Sequence, residues 1–215
     1  MIQSVLDTVN HPERIELCFY IDEDDPQRES YCRMFPDYEK KIECRVYIDE
    51  PMSVSKSWNL IAEDCTGDIL KMGNDDILYR TKGWDDRLDQ EAAKFPDDIY
   101  VMWFHDGNSN ACTFPIVSRK WYEALGYFTP GIFQFIANDT WIQRIGKTVG
   151  RLHYVPNVLN EHVRYDDKGE LLKDKVYDRN RVGDGVKLDQ EFFYGPEGKK
   201  LWTEHAQRIL KAMDK

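Results

Sequence analysis

The chain contains no apolar run near the roughly 20 residues that a membrane helix needs. It has no Gly/Ser/Pro-rich linker, internal repeat or low-complexity tract, so its 215 residues predict one domain spanning 1–215. It has no C-x-x-C pair, and its five cysteines (Cys18, Cys32, Cys44, Cys65 and Cys112) are odd in number. That disfavours a disulfide framework or a cysteine zinc site and predicts reduced, mostly buried thiols. The leading "MIQSVLDTVNHPERIE" lacks the basic start and apolar block of a signal peptide, so a cytoplasmic setting is expected. Basic residues are in the minority, 29 against 39 acids, for a net charge of -10. This balance disfavours a large nucleic-acid footprint, though it leaves room for a local basic groove.

What is present is enough apolar material for a core: 41% hydrophobic residues and 13% aromatics. "MIQSVLDTV" has helical spacing, and "IELCFYI" reads as a strand that ends in Asp22-Glu23-Asp24-Asp25. "ECRVYID" and "DILKMG" read as further strands, with a helix from Ser55 to a stop at Gly67 between them. "KGWDDRLDQEAAKF" predicts a helix and "IYVMWFHD" a strand. A short strand follows, then a helix from Arg119 to Leu125. "NDTWIQRIGKTVG" predicts a helix capped by Asn138 or Asp139, and "RLHYVP" a strand. Residues 160–190 read as a charged loop and candidate lid, and 197–214 as a C-terminal helix. Strands alternating with helices predict an α/β fold, an α/β/α sandwich around a mostly parallel central sheet. Ligands of such folds bind outside the carboxyl ends of the strands. Two acid groups fall at such ends: Asp22 to Asp25, and Asn74-Asp75-Asp76.

Two carboxylates and an amide after a strand can hold a hard divalent cation and leave positions for a diphosphate. The same tripeptide also suits a solvated turn. Its surroundings decide between them. A helix carrying Lys56 and Asn59, then Gly67, then "DILKM", then Asn74-Asp75-Asp76 resembles the ordered block of the GT-A nucleotide-sugar glycosyltransferases, in particular the family 2-like inverting enzymes. "ELCFYIDEDDP" resembles the family's earlier strand, whose acids meet the donor nucleotide. "FPIVSRKWYEALGYF" followed by "FIANDTWIQRIG" is similar to its acceptor-side strand and the acidic pair opening a helix. The resemblance covers roughly residues 1 to 170. There are two departures. The chain starts at what looks like the family's first helix, without the strand and nucleotide loop that usually precede it. Asn74 stands where an Asp usually leads.

The resemblance implies a Rossmann-like GT-A domain that uses Mn²⁺ or Mg²⁺ and a nucleoside diphosphate sugar, UDP-linked by expectation. It implies Asp76 as metal ligand, Asp75 beside it and His162 closing the site. Asp22, Asp24, Lys56, Asn59, Asn74 and Asp75 would face the donor, and Asp139 would take the acceptor's proton, giving inversion. Trp103, His105, Phe133 and Asn138 are candidate acceptor contacts, although core packing is the commoner fate of aromatics. His11 and His205 read as surface residues, and His153 as packing. The basic residues Arg164, Lys168, Lys173, Lys175, Arg179 and Arg181 are a candidate diphosphate lid or an ordinary solvated loop. The residues leave the acceptor open: glycan, protein, small molecule or modified nucleic acid. Two alternatives stand beside this reading. A nucleotidyltransferase would need a Gly-rich phosphate loop near the first strand, and none is found. A degenerate GT-A-like protein would bind nucleotide or glycan without turnover.

Overall fold

The computed structural model describes residues 1–109, 111–165, 169–170, 178–179 and 184–214. In chain order the elements are α1 (Ile2–Thr8), a 3-10 turn (Pro12–Arg14), β1 (Glu16–Asp22), α2 (Arg28–Tyr38), β2 (Glu43–Asp49), α3 (Val54–Asp64) and β3 (Ile69–Lys71). They continue with β4 (Ile77–Tyr79), α4 (Trp84–Ala92), β5 (Val101–His105), β6 (Ile116–Ser118), α5 (Arg119–Leu125), α6 (Asn138–Thr148), β7 (Leu152–His162), α7 (Gly185–Tyr194) and α8 (Pro196–Met213).

The expected α/β architecture is present, with one correction. β1 and β2 pair in parallel as a two-stranded sheet, while the other five strands form a sheet in the order β3-β6-β5-β7-β4. In that larger sheet only β5 and β7 are parallel. The pairs β3–β6, β5–β6 and β4–β7 are antiparallel, so the sheet is mixed rather than mostly parallel. The reason lies in the connections. A parallel neighbour needs a crossover of a dozen or more residues. β5 reaches β7 through α5 and α6, whereas no helix intervenes between β5 and β6.

β5 is the centre of the fold. Val101 and Trp103 enter a cluster with Trp121, Trp141, Ile145 and Ile209. Met102 and Phe104 enter a second cluster on the opposite face with Val5, Trp84, Leu88 and Val155. A strand covered on both faces reads as a continuous apolar run, and "IYVMWF" does. Each fully buried large side chain contributes about 1.5–3 kcal/mol. Gly146 lets α6 lie directly on the sheet, since a Cβ there would sit 3.1 Å from Val101 Cγ2. This close approach fixes the helix whose first turn carries Asp139.

Several local expectations change. α2 escapes the periodicity because it contains Pro36 and buries only Phe35. α7 lies where a charged loop was expected. α6 is capped not by Asn138 or Asp139 but by Ala137, held in the left-handed region at φ 69°. His205 is buried beside Tyr127 and Trp141 rather than exposed. Desolvation, with Arg208 adding to it, pushes its pKa down to about 4. Of the five cysteines only Cys112 is buried, and Cys32 is exposed. No described helix is long and apolar enough to cross a membrane.

Candidate active site

Strand direction explains how Asp76 comes to the carboxyl ends of the larger sheet's strands. β3 is antiparallel to β6, and β6 to β5, so β3, β5 and β7 end on the same side. Asp76 follows the β3 end by a short turn, and β4 then runs back against β7, so Ile77 pairs with His162. The pairing sets Asp76 Oδ2 2.9 Å from His162 Nε2. Two residues some ninety positions apart in the chain thus meet through one antiparallel register.

Asp76 Oδ1 is buried and has no hydrogen-bond partner among the described residues. An unsatisfied buried carboxylate oxygen costs about 1–3 kcal/mol, so its presence points to an absent ligand. A divalent cation fits this donor set of carboxylate oxygens and an imidazole nitrogen. Asp76 and His162 would hold it, with Asp75, exposed on the same turn, next to them. A cleft of about 220 Å³ lined by Asp75, Asp76, Leu78 and Val163 opens at this point. Arg164 Nε lies 3.2 Å from His162 Nδ1 and holds the ring with Nε2 toward Asp76.

Asp106, at the end of β5, was not anticipated from the sequence. Its buried carboxylate accepts from the Asn108 N–H (2.8 Å), the Ser109 N–H (2.6 Å) and the Thr113 hydroxyl (2.8 Å). Burial alone would raise its pKa, but these donors bring it below the usual range. Its backbone carbonyl accepts the His162 N–H at 2.9 Å. Asp106 therefore braces the loop beside the Asp76–His162 pair. A strand-terminal acid followed by Gly107 and Asn108 was the available signal.

Asp139 sits in the first turn of α6. Burial raises its pKa, against the pull of the Thr140 N–H and hydroxyl and of Arg164. Both Thr140 groups bond to Oδ1, at 2.6 and 3.1 Å. Arg164 connects this carboxylate electrostatically with His162 and with Asp106, 3.8 Å away.

The donor-side candidates separate. Asp22 and Asp24 both pair with Arg179, at 2.9 Å for Asp24. Burial raises the Asp22 pKa in spite of that cation. Beside them a cleft of about 440 Å³ is lined by Pro51, Met52, Ser53, Gln134, Arg179 and Asp184, among others. Lys56 and Asn74 are exposed. Asn59 is a correction. Its Oδ1 accepts from Phe128 and Thr129 N–H at 3.0 Å each, and its Nδ2 donates to Thr129 carbonyl at 2.7 Å. Those bonds use its amide on the 128–129 turn rather than on a donor.

Three acceptor candidates are also corrected. Phe133 is 0% exposed and packs edge-on to Trp141. Trp103 is in the core, stacked on Tyr154. Asn138 is buried, with Oδ1 accepting the Thr129 hydroxyl at 2.6 Å. Apolar burial won at the aromatics, and loop bracing at the amide. His105 stays half-buried at the sheet edge with Tyr154 hydroxyl 3.2 Å from its Nδ1. Of the basic cluster, Arg164 and Arg179 are engaged as above, and Lys168, Lys173, Lys175 and Arg181 lie outside the described residues. The grouping of His11, Asp85 and Asp86 lies at the start of α4, beyond the far end of β4. Both Asp85 oxygens there already accept backbone N–H groups of Asn10 and His11.

Lys71 approaches the site from β3. Its ammonium stands 5.3 Å from the ring centres of Tyr79 and Phe114, and Phe114 packs against His162. Desolvation pushes its pKa down to about 7 from 10.5. In the unfolded chain the group keeps its proton up to its ordinary pKa, so between pH 7 and 10.5 the unfolded state binds more protons and stability rises with pH. Lys71→Met is therefore expected to stabilise the protein at pH 7 or below, by at most about 5 kcal/mol, and to flatten the alkaline rise. Urea denaturation at pH 6 and pH 9 measures both effects; parallel curves for wild type and variant would contradict the assignment.

No protein-family model matches the chain. No curated protein matches it either. Solved structures do. The mannosyltransferase PcManGT from Pyrobaculum calidifontis, in complex with GDP-Man and Mn2+, superposes with a TM-score of 0.59 at 15% identity, over 99% of this chain and 69% of that one. S. aureus TarS superposes with a TM-score of 0.56 at 11% identity, over 99% of this chain and 40% of that one. A structure of TarS 1-349 in complex with UDP gives a TM-score of 0.56 at 11% identity, over 98% of this chain and 65% of that one. The chain thus spans less than half the length of the longer TarS structure. Identity this low speaks to architecture alone, and on architecture the result is plain: the chain has the GT-A fold.

Proposed function

We propose that the protein is a cytoplasmic, metal-dependent glycosyltransferase whose whole chain acts as one catalytic domain. It moves a sugar from a nucleoside diphosphate donor, UDP-linked, to an acceptor hydroxyl with inversion at the anomeric carbon. The observation that carries this reading is Asp76, paired with His162 and left with one buried oxygen unsatisfied, at the ligand edge of a GT-A fold. The UDP of one structural neighbour and the GDP-Man and Mn2+ of another support the donor class and the metal.

Asp76 and His162 would hold Mn²⁺ or Mg²⁺, with Asp75 close by. Such an ion stabilises negative charge on a departing diphosphate. The chain's own residues do the rest. Asp139 Oδ2 accepts the proton of the acceptor hydroxyl as its oxygen attacks the anomeric carbon, and the nucleoside diphosphate leaves from the opposite face. The raised pKa of Asp139 suits this work, because a stronger base takes the proton more readily. Lys56 and the cleft between Pro51 and Leu188 serve the nucleotide, and His105 remains available to the acceptor.

One observation favours a second reading, binding without turnover: Arg179 already spans Asp22 and Asp24, the acids expected to meet the nucleotide. A thermal-shift panel of UDP, GDP, CDP and UDP-sugars, each with Mn²⁺ and with EDTA, tests the proposal. Binding to the native state raises the midpoint by mass action. We expect a Mn²⁺-dependent rise with UDP and UDP-sugars. A rise without donor hydrolysis would select the second reading, and no rise with any nucleotide would refute both.

A further inference from the structure

Asp189 belongs to none of the groups discussed so far. It lies on α7, is 2% exposed, and sends its carboxylate into the loop that precedes α6. Oδ1 accepts the N–H of Gln134 at 2.8 Å, and Oδ2 accepts those of Phe135 and Ile136 at 2.9 Å each. Three consecutive backbone N–H groups curled around one anion form a concave nest. Here a side chain of the same protein fills it. Only a carboxylate suits the position, because an amide in its place would turn an N–H toward an N–H.

The loop so held leads straight to Asp139. After Ile136 comes Ala137, bent into the left-handed region, and Asp139 follows in the first helical turn. The far side of the loop is tied to α3: the Val54 N–H donates to Gln134 carbonyl at 3.1 Å, and the Ser55 hydroxyl donates to Phe133 carbonyl. α7 also forms part of the large cleft through Asp184, Gly185 and Leu188. Adjacent residues of one helix therefore face two places, Leu188 the cleft and Asp189 the loop.

We propose that Asp189 is a positioning residue: its carboxylate clips residues 134–136 so that Asp139 is aimed at the acceptor, and α7 sets that aim relative to the donor cleft. This rests on the reading of Asp139 as the base. Without the clip, Ala137 is free to relax and the carboxylate two residues on loses its orientation, which lowers the chemical step more than donor binding.

The test uses the full chain with Asp189→Asn and Asp189→Glu. Asp189→Asn is expected to lower kcat for UDP-sugar turnover by about 10–100-fold, with a much smaller change in KM for the donor and in the nucleotide thermal shift, since of the clipped residues 134–136 only Gln134 lines the cleft. Asp189→Glu keeps the charge but displaces its oxygens, and should lose less; it decides the matter if Asp189→Asn does not fold. Amide hydrogen exchange read by NMR gives an activity-independent measure. Exchange at Gln134, Phe135 and Ile136 should quicken at least about tenfold, while β5 amides stay protected. Loss of kcat and donor affinity together, or unchanged exchange at all three amides, would overturn the proposal. If the wild-type protein turns over no UDP-sugar, the glycosyltransfer reading fails, and exchange alone then decides whether the clip exists.

Discussion

Asp139→Asn is expected to lower sugar transfer by about 10²–10⁴-fold while nucleotide affinity stays at the wild-type level. The substitution keeps the volume of the side chain and its acceptor toward Thr140. What it removes is the lone pair that takes the acceptor's proton. Because the donor cleft is lined by other residues, binding should not follow activity down. The pH profile adds a second check. The base works deprotonated, and burial lifts its pKa above that of an ordinary carboxylate. Activity should therefore fall as pH drops through that raised value, with the acid limb lying above the usual carboxylate range, near 4. Single-turnover transfer at several pH values measures it. An active Asn variant would show that another group takes the proton.

Asp76→Ala is expected to erase the metal-dependent part of donor affinity, a loss of at least about 100-fold or ~3 kcal/mol. Oδ1 is buried and unpartnered among the described residues, and an imidazole lies 2.9 Å from Oδ2. Removal of the carboxylate also removes that unsatisfied oxygen, so the metal-free protein should lose little stability. The remaining cost is a His162 Nε2 without its acceptor. Titration of UDP in Mn²⁺ and in EDTA separates the effects. If Asp76→Ala and wild type show the same Mn²⁺-enhanced affinity, Asp76 is no ligand. A large loss of stability in EDTA would instead assign the pair a structural role.

Short-range chemistry made much of the fold legible. The helical spacing of "MIQSVLDTV" and "KGWDDRLDQEAAKF" and the apolar run before His105 each became the element expected. Pro36 hid α2, and three-residue strands such as β4 are too short to leave a period. Strand direction was misjudged for a related reason. Alternating helices and strands suggest crossovers, but β3 to β4 and β5 to β6 are joined without a helix and run antiparallel to their partners. Asp75 and Asp76 stood out because charge beside an apolar segment is unusual and needs a reason, and His162 and Asp139 because of the resemblance to the GT-A enzymes. Asn59, Asn138, Phe133 and Trp103 stood out equally, and the structure gives them to bracing and packing. Composition cannot tell an amide that meets a ligand from one that meets a backbone turn.

By itself the sequence determined the class of the fold, which follows from periodicity, and it marked the acids that interrupt apolar strands as candidates for a ligand site. Only the tertiary structure decided which of these acids meet which partners. The β4–β7 register joins Asp76 to His162, the packing of α6 on β5 sets where Asp139 stands, and α7 returns from the far end of the chain to place Asp189. These are contacts across tens of residues. They depend on strand direction and helix packing, which are properties of the whole core and leave no mark in any short stretch of the chain.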